Sequence, residues 1–143
     1  MTSNNTNGTL GCQVVAANIF ELGSDYKLIQ RESLTILDNV EFINCGPDPA
    51  LRIEKVVSHP VQVTNCAFHN LTGVGVQIYN SKDVTFQGNT IFGAIEIGMD
   101  VQTSFNVVVN NNLVGNVAPG ESPKTPHAAY AMCSIEQGGC SGL

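Results

Sequence analysis

The amino-acid sequence predicts an all-β solenoid, a parallel β-helix with about 21–23 residues per coil. Three observations predict it. The segments VQVTNCAFHN, VTFQGNTIFG and VVVNNNLVGN begin at Val61, Val84 and Val107, a fixed period of 23 residues, and VEFINC at Val40 is a weaker copy 21 residues earlier. Within each copy apolar positions alternate, the pattern of a strand with one buried face. Each alternating run then ends on Asn or Gly, residues that tolerate left-handed backbone.

Reading the copies as columns assigns each element. The first strand of a coil points Val40, Val61, Val84 and Val107 inward with Phe42, Val63, Phe86 and Val109, while Glu41, Gln62, Thr85 and Val108 point out. The first corner falls at Asn44, Asn65, Gly88 and Asn111, where a left-handed residue turns the chain. Phe68, Ile91 and Val114 make a second short strand, closed by a corner at Asn70, Gly93 and Asn116. A third strand passes through Leu51 and Ile53, Val74 and Val76, and Ile97 and Met99, ending near Lys55, Ile78 and Val101. Three strands and three turns per period give a coil of triangular section.

Parallel stacking at about 4.8 Å puts like residues on top of like. The position after the first corner holds Cys45, Cys66, Asn89 and Asn112, expected to point into the stack as a ladder in which each amide bonds its neighbours above and below. An amide buried without a partner costs about 1–3 kcal/mol, so the ladder requires coils in register. Stacking would send the Cβ atoms of Cys45 and Cys66 out in parallel, about 4.8 Å apart, beyond the usual spacing of a disulfide. Two buried free thiols are the expectation.

Of 143 residues, 6 are Lys or Arg and 12 are Asp or Glu, a net charge of −6. With a pI near 4.8, this balance argues against a nucleic-acid partner. Charged residues make up only 13% of the chain while Gly, Asn, Ser and Thr are plentiful, as expected where tight turns separate short strands. No apolar stretch approaches the roughly 18 residues that cross a bilayer, so no membrane contact is expected of this segment. MTSNNTNGTLG has neither the basic nor the apolar region of a signal peptide. No Cys pair has zinc-ligand spacing, and His59, His69 and His127 are scattered and read as turn or surface residues, so no metal or cofactor is expected.

Five cysteines and the sequons at Asn4, Asn7 and Asn70 point instead to an oxidising, extracellular setting with N-linked glycans. CSIEQGGC places Cys133 and Cys140 around a Gly-Gly that a disulfide could close into a small loop. Secretion without a signal peptide, and stack ends without a polar cap, are what a piece of a longer chain would show; made alone, it is expected to aggregate.

Three regions follow. Residues 1–37 are an approach segment or irregular coil, 38–117 the regular coils, and 118–143 a Pro-rich loop with a Cys-containing tail.

Within 38–117, GVQIYNSKDVTFQGNTIFG followed by AIEIGMDVQTSFNVVVNNNLVGNV resembles the right-handed parallel β-helix repeats of fibrocystin (polyductin) and its relatives, large cell-surface proteins with G8 domains. IGMDVQTSFNVVVNNNLV carries most of the likeness: an acidic residue, a short turn, then a strand leading into Asn. Where that family tends to have Thr-Asn in the turn, this chain has QTSFN, and Asp100 alone supplies the acidic character. The resemblance implies a right-handed helix and a non-enzymatic scaffold or interaction module. Such a module would be a segment of a larger cell-surface or ciliary glycoprotein, contacting other protein chains, flanking coils or glycans.

Two alternatives accompany this reading. Similar coils occur in polysaccharide lyases and glycoside hydrolases, and a hyaluronan-type activity belongs among them because some G8-domain relatives are linked to hyaluronan; an adhesin or fibre subunit assembling end to end is the other. A hydrolase would need two of Glu41, Glu54, Asp83, Glu96 and Asp100 facing one sugar. Column spacing puts Glu54 and Asp100 in line two coils apart, near 10 Å, and no Arg cluster or aromatic platform accompanies them. Carboxylates that keep a solenoid face soluble explain them more simply, so no catalytic residue is assigned.

Overall fold

The computed structural model describes residues 12–31, 34–120, 128–134 and 139–141, and every regular element among them is a strand. Strands are numbered in chain order. Three parallel sheets run along the stack. The first holds β4 (Thr35–Asp38), β7 (Val61–Thr64), β10 (Lys82–Gln87) and β13 (Phe105–Asn110). The second holds β5 (Glu41–Ile43), β8 (Ala67–His69), β11 (Thr90–Phe92) and β14 (Leu113–Gly115). The third holds β1 (Val14–Ala17), β6 (Leu51–Glu54), β9 (Val76–Tyr79), β12 (Ile97–Gln102) and β15 (Ala128–Ser134). The chain visits the sheets in turn, giving a parallel β-solenoid of about four turns. β16 (Gly139–Ser141) folds back antiparallel on β15, while β2 (Ile19–Leu22) and β3 (Leu28–Arg31) form a separate hairpin between β1 and β4.

Alternation decides what lies inside. Val61, Val63, Val84 and Phe86 of the first sheet are fully buried, as are Phe42, Phe68 and Ile91 of the second and Leu51, Ile53, Val76, Ile78 and Met99 of the third. Like sits on like, as in-register stacking demands: the Phe42 and Phe68 rings lie parallel with centroids 4.4 Å apart. Between the sheets the chain turns on left-handed residues. The corner after the first sheet uses Asn39, Asn65, Gly88 and Asn111, and the corner after the second uses Asn44, Asn70, Gly93 and Asn116. After the third sheet come Lys55, Asn80 and Thr103, then Asp83 and Asn106 at the entry to the next strand.

The first coil corrects the register read from sequence. Val61 stacks on Thr35, not Val40, and Val63 on Leu37, not Phe42. Phe42 instead pairs with Phe68, so Asn44 belongs to the corner after the second sheet, and Asn39 takes its place beneath Asn65. The spacing from Thr35 to Val61 is 26 residues against 23 from Val61 to Val84, and the excess falls in the turns after Ile43 and after Glu54. Two successive strands of that coil share one alternating pattern, so VEFINC mimics VQVTNC although it spans the end of one turn, the whole of β5 and the corner at Asn44. Similarly, Leu51 stacks on Val76 rather than Val74. Parallel pairing also extends outside 38–117 on both sides, through β1 and β4 below and β15 above.

Candidate functional site

The polar interior comes first because it fixes the outer faces. Asn89 is 1% exposed; its Oδ1 accepts from the Cys66 N–H at 2.8 Å and its Nδ2 donates to the Val63 carbonyl at 3.0 Å. One coil above, Asn112 Oδ1 accepts from both the backbone N and Nδ2 of Asn89, at 2.8 and 3.0 Å, while its Nδ2 donates to the Phe86 carbonyl at 2.8 Å. A second ladder runs at the corner after the third sheet. There Ser81 Oγ accepts from Val56 N, and Ser104 Oγ from Ser81 N, each at 3.1 Å. Only the Asn-Ser and Thr-Ser pairs at 80–81 and 103–104 announce it in the sequence.

The cysteines divide differently from the sequence reading. Cys66 does stand in the ladder column, but beneath it is Val40, not Cys45. Cys66 is a buried free thiol that donates toward the carbonyls of Thr64 and Leu37 at 3.2 and 3.6 Å, and burial pushes its pKa up. Cys45 is not free: it is joined to Cys12 by a disulfide with Cα atoms 4.6 Å apart, across 33 residues of chain. Cys12 precedes the first strand, so its Cβ direction is not tied to the parallel array that separates stacked neighbours. Cys133 lies opposite Cys140 in the β15–β16 pair, but the side chains on which a disulfide between them would depend fall outside the described residues, as do Asn4, Asn7 and His127. Asn70 is exposed at its left-handed corner, with Leu71 of the same sequon buried beneath it.

The outer face of the third sheet gathers the chemistry-bearing side chains. Strand pairing stacks Arg52, Gln77 and Asp100 in one column and Glu54, Tyr79 and Gln102 in the next. Glu54 and Asp100 therefore stand in different columns, not in line as the 23-residue count implied. Glu54 is neutralised by two cations, Arg52 Nε at 3.1 Å and Lys55 Nζ at 3.3 Å, although the Arg52 N–H is not aligned for a hydrogen bond and the atom is buried without one. Asp100, outward-facing yet only 3% exposed, accepts at Oδ2 from Gln102 Nε2 at 2.7 Å and Gln77 Nε2 at 3.2 Å. Among the described residues its buried Oδ1 has no donor. Leaving a buried polar atom unpaired is costly, so this oxygen and Arg52 Nε mark where, among the described residues, the face has not used its own polar capacity. At the lower end of the face a hollow of about 430 Å³ is lined by Ala17, Asn18, Glu54 and Lys55.

Three further carboxylates serve locally. Glu41 meets His69 Nε2 at 2.8 Å, Asp83 accepts from Asn106 Nδ2 at 2.6 Å, and Asp38 accepts from Thr64 Oγ1 at 2.6 Å and Asn65 Nδ2 at 3.0 Å. His59 is a turn residue, as expected, but a buried one, set between the Thr35 and Ser58 hydroxyls at 3.1 and 3.0 Å. Among the described residues no group of three or more His, Cys, Asp or Glu side chains could hold a metal ion. The Arg52–Glu54 pair and the amides of Gln77 and Gln102 were not legible as a site, because the longer turns of the lower coil hide which residues of 51–54 share a column with those of 76–79.

A protein-family model described as right handed beta helix region matches residues 3–137. No curated protein and no solved structure matches the chain.

Proposed function

The chain belongs to the right-handed β-helix family, and from that premise we propose that it is a non-catalytic extracellular scaffold and interaction module. Its working surface is the outer face of the third sheet, and it forms a β-helix segment of a larger cell-surface or ciliary glycoprotein of the fibrocystin kind. The observation that carries this reading is the row Arg52, Gln77 and Asp100, one residue per coil, held at fixed spacing by strand pairing over a packed core. A rigid face that presents the partly exposed polar groups of Arg52, Gln77, Tyr79 and Gln102 suits recognition, since binding it costs little ordering entropy. The Cys12–Cys45 disulfide supports an oxidising compartment, and the exposed sequon at Asn70 supports passage through the secretory route. Protein chains or glycans are the partners this face would contact.

Catalysis by paired carboxylates is the competing reading. It finds less support because Glu54 is held by Arg52 and Lys55, and Asp100 lies in the neighbouring column beside two amides rather than another acid. The test sets turnover against retention. Purified protein is incubated with hyaluronan and pectic polysaccharides, and reducing ends and unsaturated uronate products are followed. In parallel, binding to immobilised glycans and ectodomains is measured for the native chain and a Gln77→Ala/Asp100→Asn variant of unchanged melting temperature. Retention lost in the variant without product release is the expected result; release of product by the native chain would refute the non-catalytic assignment.

A further inference from the structure

A second surface, at the turns leading from the second sheet to the third, holds a cavity of about 400 Å³ lined by Pro47, Thr72, Gly73, Val74, Ile95 and Glu96. Its residues come from three successive coils, so it exists only because the coils stack. The volume lies within the range of small-ligand sites. Close backbone approach shapes it: a Cβ on Gly73 would run into the Pro47 carbonyl, and a Cβ on Gly120 would collide with the Glu96 carboxylate.

Glu96 is the anomaly. Its φ of 70° lies in the left-handed region, where this chain elsewhere places mostly Asn and Gly. The backbone is fixed there by its own hydrogen bonds, Glu96 N donating to the Ala118 carbonyl at 2.8 Å and the Glu96 carbonyl accepting from Ala128 N at 2.9 Å. Asn would satisfy that corner with less strain. Yet a carboxylate stands there, and among the described residues, unlike Glu41, Glu54, Asp38, Asp83 and Asp100, it has no hydrogen-bonding or ionic partner.

We propose that this cavity binds a primary ammonium group on a short aliphatic stem, with Glu96 as counter-ion, the Thr72 hydroxyl as a further acceptor, and Pro47, Val74 and Ile95 packing the stem. The walls decide among cations. A guanidinium is best held by paired, planar acceptors, whereas an ammonium is a compact point charge on a methylene stem that apolar walls can cover. A neutral alcohol would leave the carboxylate uncompensated. The net charge of −6 favours approach of a cation. The proposal is independent of the third-sheet face and would survive its failure.

Amide chemical shifts of the full isotope-labelled chain, titrated with n-butylammonium, n-butanol and Nα-acetyl-lysine methylamide, test it. The expected result is saturable shifts at Thr72–Val74 and Ile95–Ile97 with both amines and none with butanol. Glu96→Gln should weaken amine binding at least tenfold, and Glu96→Asn should abolish it while melting at the same temperature or higher, which a structural role for Glu96 would not allow. A lysine derivative binding tenfold tighter than butylammonium identifies a protein lysine as the source; equal or weaker binding identifies a free amine. Shifts with butanol equal to those with butylammonium, or undiminished amine binding by Glu96→Asn, would overturn the proposal.

Discussion

Asn112 Oδ1 receives two hydrogen bonds from Asn89, one from the backbone N at 2.8 Å and one from Nδ2 at 3.0 Å, across one coil of the stack. Each Asn thus supplies the acceptor for the backbone of the coil below and the donor for a strand carbonyl. Asn89→Leu would strand the Cys66 N–H and the Val63 carbonyl in the core, a loss of about 2–4 kcal/mol. Asn112, half-buried at the upper rung, should cost less, and Thr85→Ser on the outward side almost nothing. Chemical denaturation of the three variants measures the order.

At Gly88 the backbone φ is 67°, and an added Cβ would stand 3.0 Å from Asn65 Oδ1. Gly88→Val should therefore lose at least about 1–2 kcal/mol from the left-handed clash alone. Gly88→Asn should lose less, since Asn occupies the same corner at positions 65 and 111 with φ of 53° and 52°. At Gly93, where φ is 77°, the nearest atom to an added Cβ is 3.6 Å away, so Gly93→Asn should cost less than Gly88→Asn, the left-handed backbone being its main penalty. Paired thermal melts decide both.

Reduction should loosen the lower coil selectively. The Cys12–Cys45 bridge closes 33 residues, including β1, the β2–β3 hairpin, β4 and β5, and a loop of that length is worth about 3–4 kcal/mol by closure entropy. Cys12→Ser should lower the melting temperature and remove the part of its dependence on reducing agent that this bridge causes. Cys66, buried and with its pKa raised by burial, should resist alkylation at neutral pH in the native state and react on unfolding.

Stability should also fall in acid through Asp38. Hydrogen bonds from Thr64 and then Asn65, with Asn39 contributing, hold its pKa below the ordinary 3.8. A carboxyl whose folded pKa is depressed stabilises the fold above its unfolded pKa, and that contribution is lost as pH drops through the folded value. Asp38→Asn should flatten the acid limb of melting temperature against pH below about pH 4, and leave the limb above pH 6 unchanged.

How much of this was legible follows the period. Where coils repeat at 23 residues, as from Val61 through Val109, alternation and the Asn/Gly columns place strands, corners and the Asn89–Asn112 rungs correctly, because in-register stacking forces like onto like. Where turns lengthen, between Thr35 and Val61, the same alternation misplaces Val40, Asn44 and Cys45, since one short strand pattern fits two positions of a coil. On the third-sheet face the period stacks Gln77 on Asp100 correctly but puts Glu54 beneath them where Arg52 stands, because the lower coil is two residues longer there, and the Glu96 cavity is assembled from turns that the strand pattern does not describe. Cys12 carried no signal, having no repeat around it.

The central claim is the register by which the coils stack, and scalar couplings across backbone hydrogen bonds measure it directly. The account predicts couplings from Ala67 N to the Val40 carbonyl, from Asn44 N to the His69 carbonyl and from Asn39 N to the Thr64 carbonyl. Couplings that instead place Val40 opposite Val61 and Asn44 opposite Asn65 would contradict it.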